Sequence, residues 1–205
     1  MKKLLLVGLL LLWSVDAGAF SFDDVINQAQ NLSKQSYTED FPVLPEKLLQ
    51  MDYDDYRSIR YMRDKGPWFN QNLPFEVQFF HMGSLFKRPV KVFEINKGVV
   101  HPLSYDSLAF RLGDEALYPF KDLGYAGFRL HYPLNTPDYL DELVVFLGAS
   151  YFRGLGKHQK YGASARGLAV DTGLITGEEF PEFTTFWLQK PKPEDQQIEL
   201  YALLD

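Results

Sequence analysis

No cysteine occurs in the 205 residues. That excludes disulfide staples and a lipid-anchored amino terminus, so stability has to come from a hydrophobic core, which a chain of this length can bury. Histidine is scarce: His81, His101, His131 and His158 are far apart, and no two show the spacing that builds a metal site. Positive charge falls short, with 21 Lys and Arg against 27 Asp and Glu and a formal net charge of -6, which argues against nucleic acid as a partner. Complete nucleophile and cofactor motifs are also missing. The segments around Ser150 and Ser164 each lack one glycine of the G-x-S-x-G elbow, and Gly154-Leu155-Gly156 lacks the third glycine and the following helix of a dinucleotide site. Neither a serine hydrolase, a metal nor a cofactor is expected.

Long apolar runs are absent except at residues 4–13, which are too few for the roughly 20 that a membrane-spanning helix needs. Lys2 and Lys3 before that run, and Ala17-Gly18-Ala19 after it, make residues 1–19 an export signal, with cleavage expected between Ala19 and Phe20. No twin-arginine pair precedes the run, so the general secretory route is expected, with no membrane span in the mature chain.

What is present is period. Ser21 and Asp24 have capping-box spacing, and Phe22, Val25, Ile26, Ala29 and Leu32 follow at helical intervals, predicting a helix over 22–33. A second, short helix is expected at Pro45. From Phe75 onward the apolar period becomes two: Phe75, Val77 and Phe79; Val90 and Val92, with Glu94 facing out; Phe128, Leu130 and Tyr132; then Phe183 to Leu188. Turn signals at residues 65–67, 96–98, 135–137 and 171–173 separate these strands. No strand–helix–strand alternation appears. The expectation is a mainly β protein, an antiparallel β-sandwich with short amino-terminal helices. Residues 198–204 read as a strand followed directly by Asp205, so the sandwich reads as incomplete, the amino-terminal part of a longer protein.

The richest stretch is 142–181. Gly148, Ala149, Ser150, Gly162, Ala163, Ser164, Ala165 and Gly167 allow close approach, while Tyr151, Phe152, Arg153, Tyr161, Arg166, Asp171, Glu178 and Glu179 supply stacking faces and charges. Its motifs FLGASYFR, YGASARGLAVDT and GEEFPEF resemble the periplasmic glucan biosynthesis proteins of Gram-negative bacteria, the G and D proteins of osmoregulated glucan synthesis. FSFDDV, YDDYRSIRY, PFEVQFFHMG, GYAGFRLHYPLN and the final YALLD extend the likeness over essentially the whole chain, and the missing twin arginine fits the G type.

The resemblance implies a periplasmic protein of glucan biosynthesis that binds and processes a β-1,2-linked backbone. It also implies a large β-sandwich domain, of which residues 20–205 would be the first part, followed by an immunoglobulin-like domain absent from this chain. Relatives that cleave β-1,2-glucan use an aspartate pair expected beyond Asp205. No catalytic role is therefore carried onto any residue here, and residues 20–205 alone are expected to be inactive. A non-catalytic periplasmic glucan-binding protein assisting a membrane glucan synthase is the alternative.

Two chemistries fit the charged residues of this stretch. Asp171, Glu178 and Glu179 could supply the two carboxylates of glycoside cleavage, or Asp171 could cap a turn while the glutamates pair with Arg153 or Arg166. Sugar binding asks for planar multidentate groups and aromatic faces, which Tyr151, Arg153, Tyr161, Arg166 and Trp187 supply. The same residues could form a polar belt in the sandwich core. Alternation separates Phe152 from Tyr151 and Arg153, so one of these faces must point away from the packed side.

Overall fold

The computed structural model describes residues 18–38, 41–112, 120 and 122–205. Most of the expected export signal, residues 1–17, lies outside them. Helix α1, Phe22–Leu32, follows the capping pattern: the Asp24 carboxylate accepts the Ser21 backbone N–H at 2.8 Å. Helix α2, Glu46–Leu49, starts directly after Pro45 and buries Leu48 completely. Helix α3, Tyr53–Ser58, was not anticipated; Asp52 caps it by accepting the Asp55 N–H at 2.8 Å.

Strands dominate from Glu76 onward, as the change of period predicted, and two short 3-10 turns lie at Arg63–Lys65 and Ser107–Ala109. Strands β1 (Arg60–Tyr61) and β5 (Phe110–Arg111) pair as a small ribbon. Strands β2 (Glu76–His81), β6 (Tyr125–Tyr132), β7 (Asp141–Leu147), β8 (Tyr151–Gly154) and β9 (Ala163–Arg166) form, in that order, a five-stranded antiparallel sheet. Strands β3 (Lys91–Asn96), β4 (Val99–Pro102), β10 (Phe183–Gln189) and β11 (Leu200–Leu204) form a four-stranded sheet in the order β11-β10-β3-β4.

One pair departs from the all-antiparallel expectation: β10 runs parallel to β3. Sequence period cannot reveal this, because the strands become neighbours only after the chain has built most of the other sheet between them. The parallel neighbours therefore need no helical crossover.

The two sheets pack through phenylalanines. Phe128 and Phe146 stack at 5.2 Å on the five-stranded sheet, and each meets Phe186 of β10 at 4.9 Å. Phe128 and Phe186 are completely buried, worth about 2 to 3 kcal/mol each in hydrophobic transfer. Strand β10 is covered on its other face as well. There Trp187, 3% exposed, lies under Phe20 at 5.5 Å and beside Phe93 at 6.0 Å, in a second cluster with Val25 of α1 and Ile95.

Glu94 corrects the outward placement given to it. It is buried with Val92, accepts the Trp68 indole N–H at 2.6 Å and lies 3.6 Å from the Lys190 ammonium. An indole donor and a cation let this carboxylate stay inside.

Candidate functional site

Pleating sorts the five-stranded sheet into an inner face of Val77, Phe79, Phe128, Leu130, Phe146 and Phe152 and an outer face that is mostly polar. Register sets the outer row: Gln78 lies opposite Arg129, Arg129 opposite Val145, Val145 opposite Arg153, and Tyr151 opposite Arg166. Four strands thus bring Gln78, Arg129, Arg153, Tyr151 and Arg166 to one surface.

These side chains are linked. Arg129 donates to Gln78 Oε1 at 2.8 Å and to Glu142 Oε2 at 3.0 Å, and Arg153 donates to the other oxygen of Glu142. The Arg129 guanidinium also sits 5.5 Å over the Phe80 ring, its Nε unpartnered. Further along β2, Arg63 grips Glu76 with two hydrogen bonds of 2.6 and 2.8 Å. At the opposite edge the Tyr151 hydroxyl lies 3.1 Å from Ser164 Oγ, and Arg166 rests 4.8 Å from the Phe180 ring.

Above this row lies an open groove. A cavity of about 520 Å³ is lined by Phe80, Phe86, Glu142, Tyr151, Arg153 and Arg166 among others. A neighbouring one of about 420 Å³ carries Tyr53, Tyr56, Arg57, Arg60 and His81, and the two meet at Phe80, Phe86 and Leu147. Phe86 is held in place by the turn between β7 and β8, where Gly148 and Ala149 both have positive φ, the signature of a tight hairpin turn. A Cβ on Gly148 would stand 3.1 Å from the Phe86 ring, so glycine serves both the backbone and the groove wall. Ser150, fully buried, accepts the Gly167 N–H at 2.7 Å through its carbonyl, tying this turn to the segment after β9.

The groove's inner end is a hydrogen-bonded aromatic cluster. His81 Nδ1–H donates to the Met82 carbonyl, which leaves Nε2 to accept the Tyr105 hydroxyl at 2.9 Å. Tyr56 donates to the His81 carbonyl at 2.9 Å, and Tyr125 to the Ser104 carbonyl at 2.8 Å. Burial lowers the His81 pKa and raises those of Tyr56, Tyr61 and Tyr105, while Tyr125 is pushed up to about 12. His131, on the outer face, is lowered first by burial and then by Arg129.

Of the residues singled out in the sequence, Tyr151, Arg153 and Arg166 come together in the groove. Tyr161, 83% exposed, stands on the β8–β9 connection. Asp171 adopts positive φ in its turn, and its carbonyl accepts the Leu174 N–H at 3.0 Å. Glu178 and Glu179 are exposed; Glu179 bonds Val170 through its backbone, while Arg153 is paired with Glu142. Trp187 is not with them, since both faces of its strand are covered.

Phe80, Phe86, Arg129 and Glu142 were missed. The signal for Arg129 was there: it interrupts the buried run of FRLHY at every second position together with His131. Among the described residues Glu142 is the one carboxylate lining the groove, and it is held by two arginines.

A two-sheet β-sandwich with an arginine- and aromatic-lined groove across its larger sheet is the class that fold and site define. Residues 20–205 match the family model described as "Periplasmic glucan biosynthesis protein, MdoG", and the chain belongs to that family. It is 48% identical over 204 residues, 98% of this chain, to the glucans biosynthesis protein G of Ralstonia nicotianae. Proteins of the same name from Pseudomonas entomophila and Dickeya dadantii are 44% and 46% identical over 100% and 96% of this chain. The chain spans 40%, 36% and 38% of the length of these three relatives.

Proposed function

We propose that this chain supplies the glucan-binding surface of a protein of periplasmic glucan biosynthesis, and that the groove over β2, β6, β7, β8 and β9 holds the β-1,2-linked backbone while it is processed. One observation carries the reading: Tyr151, Arg153 and Arg166 share a groove with Phe80 and Phe86, so multidentate donors and ring faces stand on one open surface. Sugar hydroxyls can accept from the guanidinium forks while C–H faces lie on the rings. Export by the general secretory route, with cleavage between Ala19 and Phe20, belongs to the same proposal; amino-terminal sequencing of the periplasmic protein tests it, and a retained Met1 would refute it.

Titration of the protein with linear β-1,2-gluco-oligosaccharides by calorimetry tests the groove. Saturable binding that Tyr151→Ala weakens supports the reading, and no heat at millimolar sugar refutes it. A non-catalytic protein assisting a membrane glucan synthase is the alternative; among the described residues the groove carries one carboxylate, Glu142. Glycoside cleavage needs two carboxyl groups in complementary roles, and this one groove carboxylate is engaged by Arg129 and Arg153. Binding without release of shorter sugars from residues 20–205 is the result expected.

A further inference from the structure

A further cavity, of about 540 Å³, lies on the other sheet, within the roughly 300 to 1,000 Å³ of small-ligand sites. Register sets its floor. Lys91 and Leu203 lie opposite Thr185, which precedes Trp187 by two residues on β10 and therefore shares the sheet face that α1 covers. Helix α1 supplies one wall through Gln28 and Asn31, three residues apart and so on one side of the helix, with Gln35 in the turn beyond. Phe41 and Arg88 supply another. The Arg88 guanidinium lies 4.6 Å from the Phe41 ring centre and donates to the Tyr37 hydroxyl at 3.0 Å and to Glu182 at 2.5 Å, which ties the segment after α1 to β10.

Charge is balanced in this cleft, Arg88 and Lys91 against Glu182 and Asp205, and Arg88 is already bound to Glu182. Neutral hydrogen-bonding capacity is what stands in surplus. Thr185 is 8% exposed and lines the cleft, yet among the described residues its hydroxyl has no hydrogen-bond partner. Leaving such a group unpaired costs free energy unless a molecule in the cleft completes it. The Gln28 and Asn31 amides have no partner among the described residues either, while Gln35 donates to the Asn31 carbonyl at 3.3 Å.

An amide sets donors beside an acceptor, and each hydroxyl of a vicinal diol both donates and accepts, so the two match without any charge. Phe41 adds a ring for sugar C–H contact. A phosphate or carboxylate would meet Glu182 and Asp205, and an ammonium would meet Arg88 and Lys91.

We infer that this cleft is a second saccharide site, for a neutral oligosaccharide, with Thr185, Gln28 and Asn31 as its hydrogen-bonding residues. The inference rests on the reading of the chain as glucan-binding and adds a separate place on the opposite sheet.

The test follows the side-chain amide resonances of Gln28 and Asn31 in the isotope-labelled full chain as linear β-1,2-glucotetraose is added. Saturable shifts are expected at both, in the Tyr151→Ala variant as well as in the unaltered protein, because the groove lies on the other sheet. Thr185→Val keeps the shape and removes the hydroxyl, and Asn31→Ala changes an exposed position of α1. Each should weaken the second site about threefold to tenfold and leave the groove's affinity unchanged. Lys91→Gln should leave both unchanged, as expected of a neutral ligand.

Absence of shifts at Gln28 and Asn31, or shifts that vanish in Tyr151→Ala, would overturn the inference and leave the groove standing, whereas no sugar binding anywhere would overturn both. Equal shifts from glycerol at the same concentration of hydroxyl groups would overturn it as unspecific polyol contact. Shifts produced only by an acidic sugar, and lost in Lys91→Gln, would overturn the neutral assignment.

Discussion

Arg129 lies over the ring of Phe80, its guanidinium carbon 5.5 Å from the ring centre. Phe80 thereby carries the cation that also holds Gln78 and one oxygen of Glu142, while Arg153 takes the other oxygen. The groove floor is therefore one connected unit spread over β2, β6, β7 and β8, and its parts should respond together.

Glu142→Ala removes the shared acceptor and leaves two arginines facing each other. Because Arg153 and Glu142 keep 42% and 26% of their side-chain surface exposed, screening limits the stability cost to roughly 1 kcal/mol. That corresponds to a fall in melting temperature of about 2 to 4 °C. Glucan affinity should drop further than for Arg153→Ala alone, since both forks lose their anchor. Differential scanning calorimetry and sugar titration on the two variants check this, and a Glu142→Ala protein with unchanged affinity would argue against a connected floor.

Phe128→Ala strikes the join between the sheets. With the ring fully buried against Phe146 and Phe186, the loss should be about 3 to 5 kcal/mol. Urea denaturation should show the unfolding free energy lowered by that amount, whereas a loss under about 1 kcal/mol would place the join elsewhere.

Glu94→Ala should destabilise through a different route. It leaves the Trp68 indole N–H without its acceptor in a buried setting, a cost of about 1 to 3 kcal/mol. Glu94→Gln, which keeps an acceptor oxygen, should recover most of it. Chemical denaturation of both variants, with tryptophan emission as the probe, tests the difference.

Stability should fall as pH drops below about 6.5, the ordinary histidine value. Burial lowers the pKa of His81 and His131 in the folded chain, so in this window the unfolded chain binds more protons and acid favours unfolding. Above about 6.5 the imidazoles are neutral in both states and their contribution is fully present. Denaturant midpoints measured from pH 7.5 down to about 5 should decline, and a His81→Gln/His131→Gln variant should flatten the decline. An equal slope in both proteins would remove histidine as the cause.

Much of the fold was legible because it depends on local period. Phe75, Val77 and Phe79, and then Phe128 and Leu130, announced their strands, and Ser21 with Asp24 announced α1. Trp187 shows the limit. Its neighbours gave the strand, but the cover over its outer face comes from Phe20 and Val25, distant in sequence. Glu94 is misread by alternation alone, since its acceptor role depends on Trp68. In the site, the parity of Tyr151 and Arg153 was visible, while their link to Arg129 through Glu142 needs the β6–β7 register, including its irregularity near His131. Phe86 and Arg57 lie outside strands of the sheet, where no period marks a groove wall.

The insertion of β10 between β3 and β11 has a kinetic consequence. Strands β6 to β9 are joined as successive hairpins, so they can zip locally as the chain emerges. The four-stranded sheet cannot close until β10 has been made and has returned to β3, which pairs with β4 while it waits. Loop-closure entropy falls on that one long-range step. While the chain folds, the inner phenylalanines of the hairpin sheet stand uncovered until Phe186 arrives, and this interval is when a chaperone has the most to bind.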